Sequence, residues 1–179
     1  MTVTELQTFK AITSDITQIL LIHDEISDPE TFVNSCNPST FPIVYNSNSS
    51  KADLLVILNQ FTSISRLAIA CHNSEQQLFL DDETIFSDAN IAFFIEIINT
   101  FGIVNIDFLA CNTLQYDTWN MLYTPLRQVV IVGASNDNTG NIRYQADWIM
   151  ETTDENIRPI YFTDGIFEYQ FLLATPFTD

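Results

Sequence analysis

The sequence predicts an α/β domain, a three-layer αβα sandwich with a mostly parallel central sheet. Two observations predict this class. Short apolar runs alternate with helical segments along the 179 residues, which is the arrangement of βαβ units. Most of these runs are continuously apolar, as in strands that are buried on both faces. Because the chain has no repeat and no linker, residues 1–179 are expected to form one domain.

Three strands and two helices are expected in the first half of the chain. The predicted strands are 18–23, 41–45 and 66–71, and the predicted helices are 29–36 and 51–61. Asp28 followed by Pro29 is typical of a helix start, and Ser50 can cap the second helix. Pro42 has no amide hydrogen, which favours an early or edge position for its strand.

The second half repeats this alternation. The predicted strands are 104–110 and 129–132, and the predicted helices are 89–101 and 116–122. Asp88 caps the longer helix, Gly102 ends it, and the shorter one stops near Pro125. An extension over residues 152–179, with an amphipathic piece at 166–173, is expected to pack on the domain.

The composition excludes several classes of function. Asp and Glu number 23 against 6 Lys and Arg, a net charge of −17, so binding to nucleic acid or to an anionic membrane is not expected. An apolar share of 46% with 12% aromatic residues excludes disorder. Three cysteines without a CxxC pair and two histidines predict no disulfide framework, metal or cofactor. Without a signal-peptide pattern or a run of membrane-spanning length, a soluble protein of unassigned compartment is expected.

Reactive side chains follow two of the predicted strands. Ligands of open α/β sheets bind at the carboxyl ends of the strands, where this sequence has Cys71-His72-Asn73 and Cys111-Asn112. It contains neither a phosphate-binding glycine loop nor a serine nucleophile elbow. An imidazole can activate a thiol, and backbone amides beside the two can hold an oxyanion. The pattern predicts a His72/Cys111 pair, while a buried, apolar Cys111 and a hydrogen-bonded His72 are the alternative interpretation.

Five segments, taken in order, resemble a known family. They are Ile-Leu-Leu-Ile-His-Asp at 19–24, Leu-Ala-Ile-Ala-Cys-His at 67–72, Ile-Asp-Phe-Leu-Ala-Cys-Asn at 106–112, Gly-Ala-Ser-Asn-Asp-Asn-Thr-Gly at 133–140 and Ala-Asp-Trp-Ile-Met-Glu at 146–151. Over residues 18–151 the chain resembles the caspase- and gingipain-like domain of unknown function found near the N-termini of very large bacterial surface and adhesin-like proteins. The resemblance implies a caspase-like fold with His72 and Cys111 as the catalytic pair.

The chain departs from that family beside both residues. Where the family has Ser-His-Gly, this sequence has Cys71-His72-Asn73, and the family's Gly-Cys is Ala110-Cys111 here. A glycine after the histidine lets backbone approach the substrate, whereas a side chain there can obstruct it. The departures imply either a modified peptidase or an inactive relative.

Three further residues complete the predicted site: Asn73, Asn112 and Asp137. They are expected to lie around the oxyanion and the substrate pocket. Asp137 can line a substrate pocket and favour Arg or Lys at the cleavage position, while a simple turn over 136–140 is the other interpretation. The overall negative charge also favours a basic peptide or protein as partner.

Three functions from different classes remain. The first is a cysteine peptidase that favours basic substrates. The second is a non-catalytic caspase-like module for binding or assembly, such as a virion or surface-layer component, which can form homo-oligomers. The third is another hydrolase or a small-molecule binder that uses the same edge of the sheet.

Overall fold

A computed structural model describes residues 6–174 and confirms the predicted α/β class, with a six-stranded, mostly parallel sheet flanked by helices. The strands are β1 Gln7–Thr8, β2 Gln18–His23, β3 Thr40–Tyr45, β4 Arg66–Ala70, β5 Asn105–Leu109 and β6 Ile131–Gly133. They lie in the order β1-β3-β2-β4-β5-β6, and only the β1–β3 pairing within this sheet is antiparallel. The short β1 pairs with Ile43 and Val44, which leaves Pro42 outside that pairing, beside the edge of the sheet.

Five helices and a second, two-stranded sheet complete the described secondary structure apart from short 3-10 turns. They are α1 Pro29–Ser35, α2 Lys51–Leu58, α3 Asp88–Phe101, α4 Asp117–Leu126 and α5 Arg158–Tyr161, with β7 Ile149–Met150 and β8 Glu155–Asn156. The cap of α3 is Ser87, whose hydroxyl accepts the Asn90 amide hydrogen at 3.1 Å, one residue before the predicted cap. α4 ends at Leu126, four residues beyond the predicted end at Leu122 and one beyond Pro125, because a proline in the last turn removes only one hydrogen bond and the buried Leu126 continues the apolar face.

The two faces of the sheet carry two separate cores. Alternation along β2 sends Ile19 and Leu21 into the first core, where α2, α3 and α4 pack. It sends Leu20 and Ile22 into the second core. The second core is covered by α1 and by the region 157–173, so helices lie on both faces of the sheet. The amphipathic piece predicted at 166–173 is a 3-10 turn over Asp164–Glu168 followed by an irregular segment.

A buried carboxylate lies on β5, next to the last strand of the main sheet. Asp107 on β5 has no exposed surface, and its Oδ2 accepts hydrogen bonds from Arg66 and from the Tyr161 hydroxyl. Arg66 also donates to Glu155, at 2.6 Å. This network joins the sheet to the region that covers the second core.

Within residues 6–174, no helix is long and apolar enough to cross a bilayer.

Candidate functional site

The sheet register brings the two predicted catalytic residues to one edge. Ala70 on β4 pairs with Leu109 on β5, and the Cys71 amide donates to the Leu109 carbonyl at 3.2 Å. His72 and Cys111 each follow two residues after that pair, so the loops that carry them begin side by side.

Cys111 is buried, with 1% of its surface exposed, in the second core. Its sulfur accepts the Thr139 amide hydrogen at 3.2 Å and donates to the Thr139 carbonyl at 3.3 Å. Burial raises the pKa of this thiol to about 11, although the backbone hydrogen bonds with Thr139 and Leu173 act in the opposite direction. The thiol is therefore protonated at neutral pH while it stays covered. Cys71 packs in the first core, and burial raises its pKa further.

Residues 171–173, called here the covering segment, contact Cys111 through Leu173, which shares the second core with it. The Cys111 amide donates a 2.9 Å hydrogen bond to the Leu173 carbonyl, so a peptide carbonyl lies on the backbone of the predicted nucleophile. The Leu173 amide in turn donates to the Thr139 carbonyl at 3.0 Å. An amide in this position is the kind of donor that stabilises an oxyanion during acyl transfer.

His72 is half-buried after the end of β4. Burial lowers the pKa of its imidazole, the neighbouring His23 lowers it further, and Glu25 raises it. A lowered pKa keeps the imidazole neutral at pH 7, the state in which it can accept a proton. The hydrogen bonds of the Cys111 sulfur go to Thr139, so the pairing of His72 with Cys111 stays a prediction.

Asn73 and Asn112 are held by different parts of the fold. Asn73 is buried, and its carbonyl accepts the indole hydrogen of Trp119 on α4 at 3.0 Å. Asn112 has a left-handed backbone with φ 49°, and its amide donates to the Asp137 carbonyl at 2.7 Å. The structure thus joins Asn112 to Asp137, while the oxyanion and pocket roles of all three stay predictions.

Asp137 belongs to an acidic group that was only partly predicted. Carboxylate oxygens of Asp137, Asp147 and Glu151 lie within 4.8 Å of one another, and the Ser135 hydroxyl oxygen lies 3.0 Å from Oδ1 of Asp137 and 2.9 Å from Oε1 of Glu151, so its one hydrogen is shared between these two acceptors. Burial raises the pKa values of Asp147 and Glu151, and the charge of Asp137 raises both further. Three half-buried acids at this spacing attract a positive charge, and they are the residues of the described chain that could share a cation.

Three residues at or next to the contacts of Cys111 were not predicted: Thr139, Gly140 and Leu173, which together with His72 and Cys111 are called the cleft below. Gly140 carried a signal, because the chain has only 4 glycines and this one interrupts a polar loop. Its φ is +140°, and a Cβ there would lie 2.4 Å from the Phe171 carbonyl oxygen. Thr139 and Leu173 carried no signal in the sequence.

The family model described as "Domain of unknown function (DUF4347)" matches residues 19–173 of the chain. The matched range ends at the residue whose carbonyl contacts Cys111. No curated protein matches the chain, and no solved structure does.

Proposed function

The chain belongs to the family described as a domain of unknown function, DUF4347, and on that premise we propose that it is a caspase-like cysteine peptidase. Cys111 is the nucleophile and His72 the general base. The observation that carries the proposal is the 2.9 Å hydrogen bond from the Cys111 amide to a peptide carbonyl, at the edge of the sheet where His72 also lies.

In the proposed reaction, His72 accepts the thiol proton and the Cys111 sulfur attacks the carbonyl carbon of the substrate. The carbonyl oxygen becomes negative and is held by the Cys111 amide. The C–N bond then breaks as His72 returns the proton to the departing amine, which leaves a thioester on the enzyme. Water attacks the thioester, His72 takes the proton of the water and passes it to the departing thiolate, and the new carboxylate is released.

The charge near the cleft supports basic substrates. Asp137, Asp147 and Glu151 cluster in the loops next to Asn112, and the whole chain carries a net charge of −17. Because opposite charges attract over several ångströms, a basic peptide meets this end of the sheet more often than an acidic one does.

The test is hydrolysis of a mixture of fluorogenic peptides by the full chain near neutral pH, followed for long enough to detect turnover by the fraction of molecules in which Cys111 is uncovered. Cys111→Ala and His72→Ala are each expected to reduce the rate by about 100-fold or more. Cys36→Ala serves as the control because Cys36 lies on α1's C-terminal cap, and it leaves the rate unchanged. Hydrolysis that survives Cys111→Ala contradicts the proposal.

The second candidate function is a non-catalytic assembly module. It is favoured by the exposed edge of the sheet at β6. Val104 and Ile131 are 57% and 54% exposed, and the Ile131 amide donates to the Val104 carbonyl at 3.1 Å. β6 is the last strand of the sheet, and a strand edge with exposed apolar side chains is a surface for pairing with another chain. Light scattering tests this candidate: a mass that doubles or more, and returns to the monomer in Ile131→Lys, supports it, whereas a strict monomer contradicts it.

A further inference from the structure

The covering segment makes a regular set of backbone hydrogen bonds in the cleft. The Leu173 amide donates to the Thr139 carbonyl, and the Asn141 amide donates to the Phe171 carbonyl, each at 3.0 Å. Gly140 and Leu172 form an antiparallel bridge between these two bonds. A peptide that binds by adding a strand to a protein uses bonds of this kind.

The loop is adapted to the close approach of this segment. A Cβ at residue 140 would lie 2.4 Å from the Phe171 carbonyl oxygen and 3.0 Å from the Leu172 Cα, so only glycine allows this separation. The φ of +140° at Gly140 is also a conformation that other residues rarely adopt. Residue 140 therefore fits a backbone strand lying directly against it.

The side chain next to the Cys111 contact is aliphatic and fully enclosed. Leu173 has no exposed surface and packs in the second core together with Cys111, Trp148 and Tyr169. The residue before it, Leu172, is only half-buried, so the enclosure is specific to position 173.

Two hydroxyls near the cleft have no hydrogen-bond partner within residues 6–174. They are Oγ1 of Thr139 and the phenol oxygen of Tyr169, both buried. A buried polar group without a partner costs about 1–3 kcal/mol, so it is rarely retained for packing alone. Both hydroxyls therefore belong to residues beside Cys111, and the covering segment leaves them without a partner.

We infer that the covering segment is an internal pseudosubstrate, bound in the register of a substrate with Leu173 directly before the bond to be cleaved. The inference rests on the proposed function and names its substrate class: an extended peptide with an aliphatic residue directly before the scissile bond. Basic residues then lie at other positions of the peptide, toward Asp137, Asp147 and Glu151. The same contacts keep Cys111 inaccessible until the segment leaves.

The test measures alkylation of Cys111 by iodoacetamide in the full chain, with peptide mapping to separate the three cysteines. Leu173→Asp places a charge in the enclosed pocket and expels the segment, so Cys111 is alkylated about tenfold faster or more. Leu172→Asp is the matched control, one residue away on a half-buried side chain, and it changes the rate by less than about threefold. Added acetyl-Gln-Phe-Leu-Leu-amide, the sequence of residues 170–173, slows the labelling of Leu173→Asp again, and the same peptide ending in Lys does not.

Equal acceleration by both variants, or no protection by the leucine peptide, overturns the inference. If circular dichroism shows that Leu173→Asp is unfolded, Gly140→Ala replaces it, because its Cβ collides with the backbone of the segment and adds no charge. Unchanged labelling of a folded Gly140→Ala also overturns the inference. Protection without any hydrolysis supports the pseudosubstrate register and contradicts the peptidase, so failure of the two proposals can be distinguished.

Discussion

Arg66 donates a 2.8 Å hydrogen bond from Nη2 to Oδ2 of Asp107, a carboxylate with none of its surface exposed. Burial raises the pKa of Asp107, while the guanidinium of Arg66 and the Tyr161 hydroxyl act to lower it. Burial also opposes the charge of Arg66, but its bonds to Glu155 and Asp107 raise its pKa overall. Each group therefore compensates for the lost hydration of the other.

Asp107→Ala is expected to destabilise the domain by about 3–5 kcal/mol, because it leaves Arg66 and Tyr161 without their buried acceptor. Asp164→Ala is the matched control: Asp164 pairs with Arg158 at 3.0 Å but its side chain is 88% exposed. That change is expected to cost less than about 1 kcal/mol. Urea unfolding measures both free energies of unfolding, and equal values for the two variants contradict this account.

Gly133→Ala is expected to be the more damaging of two glycine substitutions. A Cβ at residue 133 would lie 2.1 Å from Oδ1 of Asp107, which is itself buried without a hydrogen-bond partner among the described residues. We expect a loss of about 3 kcal/mol from this overpacking. Gly102→Ala meets no atom within 4 Å, and its φ of +72° alone costs about 1 kcal/mol.

The double variant Gly133→Ala with Asp107→Ala tests the cause. Removing the carboxylate also removes the collision. The double variant is therefore expected to lose less free energy of unfolding than the two single variants lose together. Full additivity shows that the strain at residue 133 comes from another neighbour.

The pH dependence of Cys111 alkylation reports how the thiol is held. Only the thiolate reacts, and burial raises the pKa of Cys111 to about 11, so the rate in the native chain should rise about tenfold per pH unit from pH 7 to about pH 10 without a plateau. In urea the same thiol should level off near its ordinary pKa of about 8.5. If the alkylation rate of the native chain instead levels off at a pH below about 8.5, the thiolate of Cys111 is already stabilised beside His72.

Asn73→Gly restores the glycine that follows the histidine in the resembled family. The hydrogen bond from Trp119 goes to the Asn73 backbone carbonyl, so glycine keeps that bond, and circular dichroism checks that the variant folds. In a Leu173→Asp background we expect peptide hydrolysis to rise about tenfold, because less bulk stands between the backbone and the oxyanion. Asn73→Ala, which keeps the Cβ, is the control, and an equal gain from both variants contradicts a role for close backbone approach.

The strands and helices could be predicted where the local pattern of apolar residues determines the secondary structure. β2 and β4 are continuous apolar runs, and their position in the middle of the sheet buries both faces. The end of α3 at Gly102 also follows from a local rule, since glycine adopts the left-handed φ of 72° with least strain.

Only the residues of the cleft that directly follow strands could be predicted from the sequence. His72 and Cys111 could be placed together because parallel strands end at one edge of a sheet. The contact between Cys111 and Leu173 joins residues that are far apart in the chain, and it depends on the shape of the loop at Gly140. The acid at 107 interrupts an apolar strand, but its partner Arg66 could not be identified without the strand register.

The two cores also set an order of events during synthesis. α2, α3 and α4 and the strands beneath them are all synthesised before residue 157, so the first core can close before the second. The second core pairs Leu20 and Ile22 with residues as distant as Leu173, and contacts of such long separation form slowly. A nascent chain therefore passes through an interval in which Cys111 is uncovered. The interval lasts until residues 157–173 have been synthesised and have packed on the sheet, and during it the thiol is open to oxidants.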